Sequence, residues 1–474
     1  MIQRNTMIVA GGLALVFLVA SIIVFQAIGG LRGEVSRLNS IIEEQARVLE
    51  DLKSKIEAQA QSLKDLQLVK DRVARIEGQL ALVASAKDLE AIAKELGELK
   101  AQLSIMQSRL AYTNETIALQ VKSLQDKINN LTKSLELLSE RLLFPVSLND
   151  GVGDTVVILR KPTRIVSLAP SVTETLYFIG ALDLIVGIDE WSDYPRVVAE
   201  KRDKGELIVV GYWRPSVEKI IASKPDLVIG VASVPSHIAL KNLLSPYGIP
   251  VLLLPNFALD DVIIAVNLAG KATGKIVEAY EITFKLKLSI NYAKLLSGKI
   301  EVKPRIATIV WVNPLFVVGG GTWEHDILSI VGYNVYEDLK LWPQVSPESL
   351  LERKPDIIIV TSSHGLVTRE SLLNYLRDAL GDAVYAIPAV RDGKIYTLSD
   401  EYENMFVRPS PRTITSILIL LLILHPQLFD VEAQAIPYDV SPKTIDVISI
   451  IKDKVPEDVL FIVDTVEGSV FGLV

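Results

Sequence analysis

The chain has 474 residues, 49% of them apolar and 22% charged, with a net charge of −8. That length allows two or three domains, the apolar share argues against global disorder, and the acidic balance excludes a nucleic-acid surface, which needs a basic field. There is no cysteine, which excludes disulfides, thiolate metal sites, a cysteine nucleophile and lipidation of an N-terminal Cys; the four histidines, His237, His325, His364 and His425, include no i,i+4 pair for a zinc site.

Met7 to Ile28 gives 22 positions without a charge. As a helix it would span roughly 33 Å, close to the apolar thickness of a bilayer. A cleaved signal peptide would carry a shorter apolar run, about 7–15 residues. This run leads straight into another helical pattern, so an uncleaved anchor over residues 1–29 is expected. Its orientation is not fixed by charge: Arg4 precedes it, and Arg32 and Arg37 follow.

Residues 30–143 carry a heptad pattern. Val35, Ile42, Leu49, Ile56 and Leu63 recur every seven residues, with Leu38, Leu52, Leu66 and Val73 between them and Gln45, Gln59 and Lys70 as polar interruptions. The spacing resumes at Leu89, Ile92, Leu96, Leu99, Leu103, Met106 and Leu110. It shifts register near Ile117 and Val121 and runs on to Leu142. No proline precedes Pro145. One continuous helix is expected, a coiled-coil stalk reaching on the order of 170 Å. It reads as a spacer or a homo-oligomerisation device. A signalling rod is disfavoured, because only six residues precede the apolar span.

Beyond Pro145, apolar strand-like runs alternate with helical stretches, which predicts α/β layers on a mostly parallel sheet. A repeat is visible within the chain. Pro215–Gly230 (PSVEKIIASKPDLVIG) lies 130 residues before Val345–Val360 (VSPESLLERKPDIIIV), pairing Glu218 with Glu348 and Lys224-Pro225-Asp226 with Lys354-Pro355-Asp356. In each copy a Ser is expected to cap a short helix, a Lys-Pro-Asp corner to end it and a buried strand to follow. Two similar α/β lobes, 144–273 and 301–430, are expected, joined by one long helix over 274–300. Their cleft is the natural place for a ligand. Ile414–Leu424 is apolar but too short to span a bilayer and reads as core. No role is evident for the extension 431–474.

Several ordered motifs resemble the vitamin B12 and iron-siderophore binding proteins of ABC importers. They are Lys161–Glu174 (KPTRIVSLAPSVTE), Lys224–Ile229 (KPDLVI), Ser192–Pro195 (SDYP), Asn313–Phe316 (NPLF), Trp342–Ser346 (WPQVS) and Arg408–Arg412 (RPSPR). Each is weak alone; in this order, over about residues 146–430, they are specific. The resemblance implies a rigid pair of lobes on one linking helix, non-covalent ligand capture and delivery to an ABC permease with its ATPase subunits. No nucleophile motif, phosphate loop or metal-spaced carboxylate pair is present, so no catalytic step and no cofactor are expected. The binding lobes would be extracytoplasmic, held by a single-pass anchor in the cell membrane.

Carried over residue by residue, the resemblance makes Glu218 and Glu348 permease-docking groups. An acid in a first helical turn also simply suits the helix dipole. Tyr194, Trp213, Phe316 and Trp342 adjoin cleft loops, with Tyr212 sharing the place of Trp213; aromatic faces suit a flat macrocycle. Arg214 and Arg408 suit ligand carboxylates. His364 follows a strand into the cleft, and Asp400 stands where it can accept from a ligand amide. The WPQVS and NPLF motifs favour a cobalamin or other corrinoid as cargo over an iron(III)-siderophore or haem. A purely structural coiled-coil membrane protein would explain the first third of the chain only.

Overall fold

The structure is a computed structural model and describes residues 64–80, 85–110, 115–362 and 365–456. Met7 to Ile28, the heptad positions before residue 64 and His364 lie outside the described residues. The chain divides into two units, 1–71 and 72–474. In the first, residues 64–71 are helical. Among the described residues no helix is long and apolar enough to cross a membrane.

The second unit opens with a helical stretch, 72–80. Two long helices follow, α1 (Ala86–Leu110) and α2 (Glu115–Leu142). They are not collinear. Only four residues separate them, yet they pack along one another, so they run antiparallel, and α1 also packs along the inter-lobe helix described below. Arg72 joins the bundle by donating to Gln102 at 3.0 Å and Glu95 at 3.4 Å of α1. The heptad leucines Leu89, Leu96, Leu99 and Leu103 are buried as expected, but their cover comes from this chain. The continuous stalk predicted through residue 142 is therefore corrected: its second half is a hairpin folded onto the binding body.

A β-hairpin follows, β1 (Val146–Asn149) and β2 (Thr155–Ile158). The first lobe contains β3 (Ile165–Ser167), α3 (Pro170–Phe178), β4 (Ile185–Ile188), α4 (Arg196–Asp203), β5 (Ile208–Val209), α5 (Val217–Ala222), β6 (Leu227–Val231), α6 (Pro235–Leu244), β7 (Val251–Leu254) and α7 (Leu259–Thr273). Its five strands are parallel in the order β5-β4-β3-β6-β7. Val166, Leu168, Val228, Leu240 and Leu253 form its core.

Helix α8 (Ile276–Ser297) links the lobes. Its buried residues fall on more than one face, as a helix covered from several sides requires. α1 and α7 pack against it.

The second lobe contains β8 (Arg305–Trp311), β9 (Phe316–Val317), α9 (Trp323–Val331), β10 (Tyr333–Asn334), α10 (Glu348–Arg353), β11 (Ile357–Thr361), α11 (Arg369–Leu380), α12 (Pro388–Arg391), β12 (Ile395–Leu398), α13 (Asp400–Val407), α14 (Thr413–Leu424), β13 (Asp439–Val440) and α15 (Val447–Lys454). The order is β10-β8-β11-β12-β13, parallel throughout, with β9 antiparallel against β8. As read from the sequence, α14 is core and almost wholly buried. Residues after 430 belong to this lobe as well. β13 extends the sheet edge, α15 packs on α14, and Tyr402 Oη both donates to Ile445 O and accepts from Val447 N, at 3.1 Å each.

The internal repeat is exact enough to share its corners. Lys224 and Lys354 both adopt the left-handed conformation, φ 49° and 46°. The carboxylate beyond each accepts from the amide that opens the neighbouring strand, Asp226 from Arg164 N at 3.0 Å and Asp356 from Arg305 N at 2.9 Å. The caps differ. Ser216 accepts from Lys219 N, whereas Pro347 occupies the N-cap of α10 without a side-chain bond, which corrects the expectation of a Ser cap in both copies.

Candidate functional site

In parallel α/β sheets the crevice beyond the carboxyl ends of the strands is where ligands bind. Aromatic residues follow those ends in both lobes. Trp191 comes after β4, Tyr212 and Trp213 after β5, and Trp311 closes β8. Trp191 is 44% exposed, Trp213 66% and Trp311 38%. Trp213 meets Tyr212 edge-on at 4.7 Å, and Tyr212 meets His237 at 5.3 Å. His237 is buried. Its Nδ1 accepts from Val231 N, so its Nε2–H donates to Tyr212 O at 3.0 Å. Burial pushes its pKa down to about 4, and it is a neutral strut that fixes the Tyr212-Trp213 loop. Arg214 is exposed beside them.

In the second lobe, Phe316 and Trp342 are half-buried. The segment carrying Trp342 runs along β9: Val317 N donates to Pro343 O at 3.1 Å and Val345 N to Leu315 O at 2.9 Å. Trp342 packs edge-on against Trp323 at 5.3 Å, and Trp323 donates its indole N–H to Phe406 O at 2.9 Å. Asp400 is exposed at the start of α13, paired with Lys443 of the C-terminal segment at 2.9 Å.

Arg408 and Tyr194 do not stand free in the cleft. Arg408 is buried and bonds across the lobes, to Glu174 Oε1 at 3.2 Å and Asp193 Oδ1 at 2.5 Å. Ser410 donates to Glu174 Oε2 at 2.5 Å, and the fully buried Arg412 lies 3.3 Å from the same oxygen. Arg412 also pairs with Glu401 at 2.8 Å and covers the Tyr194 ring at 3.7 Å. Tyr194, buried, packs on Tyr177 and Phe178. Burial alone would lower both arginine pKa values, but Glu174, with Asp193 at Arg408 and Glu401 at Arg412, raises them. These residues form the seam between the lobes. A second link crosses nearby, where Leu259 N of α7 donates to Asp326 Oδ2 of α9 at 2.8 Å.

Sequence reasoning singled out Arg408 but missed its partners Glu174 and Asp193, missed Arg412 as the second arginine on Glu174, and missed Trp191 and Trp311. The motifs containing Glu174 and Arg412 were visible; their pairing was not.

Glu218 and Glu348 sit in the first turns of α5 and α10, one per lobe, fully exposed. Each carboxyl lies below its usual range, held by its own backbone N–H and then by Ser216 or Ser346. Among the described residues no cluster of His, Asp and Glu is arranged to hold a metal.

Comparison with known proteins agrees with this architecture. The family described as "Periplasmic binding protein" matches residues 165–402. The ABC transporter substrate-binding lipoprotein YvrC of Bacillus subtilis is 27% identical over 294 residues, 60% of this chain and 88% of that protein. The vitamin B12-binding protein of Vibrio parahaemolyticus is 26% identical over 260 residues, 54% of this chain and 86% of that protein. Among solved structures, the apo periplasmic heme-binding protein RhuT of Roseiflexus is 23% identical, with a TM-score of 0.48 over 56% of this chain and 98% of that one. The chain belongs to the periplasmic binding protein family, the non-enzymatic solute-binding components of ABC importers.

Proposed function

We propose that this protein captures a cobalamin or related corrinoid in the cleft between its lobes and hands it to an ABC permease. The observation that carries the reading is the placement of half-exposed aromatic rings on both lobes: Trp191 and Trp213 on the first, Trp311, Phe316 and Trp342 on the second. Flat apolar faces with few polar anchors suit a macrocycle. The vitamin B12-binding relatives and the WPQVS and NPLF motifs favour a corrinoid over an iron chelate or haem. The seam from Glu174 and Asp193 to Arg408 fixes the mouth, so capture needs little lobe closure. Arg214 and Asp400 border the cleft as polar anchors for the ligand's amide edge. Glu218 and Glu348 are the docking groups, and Met7 to Ile28 is the membrane anchor that holds the lobes outside the cytoplasm.

Titration of the full chain in detergent with cyanocobalamin, haemin and a ferric hydroxamate, followed by tryptophan fluorescence, tests the cargo. Quenching by cyanocobalamin at micromolar concentration is the expected result. Quenching by an iron chelate alone would transfer the reading to that cargo.

A further inference from the structure

Glu324 is an acid in the wrong place for a surface role. It lies in the first turn of α9, only 2% exposed. Its Oε1 accepts the indole N–H of Trp342 at 3.2 Å, and among the described residues its Oε2 has no hydrogen-bond partner. We propose that Glu324 is a positioning residue for ligand capture: it sets the orientation of the Trp342 indole in the cleft wall and ties that wall to the seam between the lobes.

The geometry supports this from three sides. Trp342 is a half-buried ring in an irregular segment, so packing alone does not define its plane. The bond to Glu324 supplies one restraint and the edge contact with Trp323 the other. Trp323 is itself bonded to Phe406 O, two residues before the seam arginine Arg408. Two residues beyond Glu324, Asp326 accepts from Leu259 of the first lobe. The first turn of α9 thus connects a cleft tryptophan to both links between the lobes.

Burial favours the uncharged acid here. Burial pushes the Glu324 carboxyl up to about 8, against smaller opposing bonds from its own backbone, Trp342 and Thr322. The titratable groups around it are engaged elsewhere. His325 Nδ1 faces Asn334 at 3.3 Å, Asp326 holds Leu259, Glu403 of α13 bonds Ser362, and Arg408 holds Glu174 and Asp193. With no cation among the described residues acting on it, ionisation would place a buried charge beside the indole.

The inference rests on the reading of Trp342 as a cleft residue, but its test separates the two. Near-UV circular dichroism of the ligand-free full chain is recorded from pH 6 to 10 for wild type, Glu324→Gln, Glu324→Ala and Trp342→Phe. A tryptophan signal that changes near pH 8, is lost in Trp342→Phe and is flat with pH in Glu324→Gln is the expected result. With cyanocobalamin as probe, Glu324→Ala weakens binding about tenfold, the scale of one lost buried hydrogen bond, and Glu324→Gln recovers most of it. A pH step that persists in Glu324→Gln overturns the proposal, also if Glu324→Ala does not fold. So does Glu324→Ala with the wild-type spectrum and affinity. If wild type binds no cobalamin, the cargo reading falls while the ligand-free spectra still decide the role of Glu324.

Discussion

Lys100 of α1 places its ammonium 3.1 Å from the Glu281 carboxylate of the linking helix α8. Lys285, one turn along α8, reaches the other carboxylate oxygen at 2.8 Å. Burial alone would raise the Glu281 pKa, but Lys285 and Lys100 outweigh it and leave the carboxyl below its usual range. Lys275 pairs with Glu136 of α2 at 2.6 Å, and Glu90 of α1 accepts from Lys271 at 2.6 Å and Tyr280 at 2.9 Å. Between these pairs the backbones nearly touch: a Cβ on Gly97 would lie 2.4 Å from Val277 O. The hairpin is therefore built onto α8, and the lobes do not ride at the tip of a rod formed by these residues.

Breaking that seat should be costly. Glu281→Ala leaves two buried ammonium groups facing each other, a loss of about 3–5 kcal/mol. Replacing Lys100, Glu281 and Lys285 together by Met should cost far less, because no unpaired charge remains. Gly97→Leu should separate α1 from α8 and speed proteolysis within residues 86–142. Urea unfolding of the full chain checks the first two. An unchanged midpoint in Glu281→Ala would mean that α1 is not seated on α8 in solution.

Glu174 serves three partners, Arg408, Ser410 and Arg412. Glu174→Gln keeps the shape but leaves two buried guanidiniums short of charge, with a loss again of about 3–5 kcal/mol. On the proposal that the seam fixes the mouth of the cleft, ligand affinity should fall with it. A drop in Tm without any change in affinity would detach the seam from the cleft.

The stability profile with pH follows from groups buried neutral. Glu324, raised from 4.5 to about 8, and Asp189, raised by burial from 3.8 to about 6, stabilise the fold below their unfolded values. That stability is lost as pH rises through the folded ones. His237, lowered from 6.5 to about 4, acts oppositely: stability falls as pH drops from about 6.5 to about 4. Glu324→Gln should flatten the decline between pH 6 and 8, and His237→Asn the acid limb. Thermal melts across pH 4–9 read both, and an unchanged slope in either variant would refute its assignment.

The paired lobes were legible because the repeat is local: Lys-Pro-Asp, its preceding helix and its following strand are contiguous in sequence. The linking helix was legible by its length. The hairpin was not. Heptad spacing announces an apolar stripe but not what covers it, and Leu96 buries against its own chain as readily as against another. The clues lay elsewhere, in the several apolar faces of α8 and in the lone Gly97 of α1. Arg408 was misjudged for a similar reason. Its partner Glu174 stands 234 residues away, and an arginine beside a predicted cleft reads as a ligand group until that partner is placed.

Glu218 and Glu348 allow the sharpest functional test. They are equivalent by the repeat, exposed, and held ionised by their own helix starts. Among the described residues neither bonds to the cleft aromatics: the Glu218 carboxylate accepts instead from Ser216 at 3.0 Å. A docking role therefore separates from ligand capture. Glu218→Ala or Glu348→Ala should abolish ligand uptake by cells carrying the cognate permease while leaving cyanocobalamin affinity within about twofold, since surface changes of this kind shift stability by no more than about 0.5 kcal/mol. Charge reversal to Lys should be at least as severe, because docking onto a basic pocket depends on sign. An affinity loss that matches the loss of uptake would assign both residues to the ligand instead of the permease.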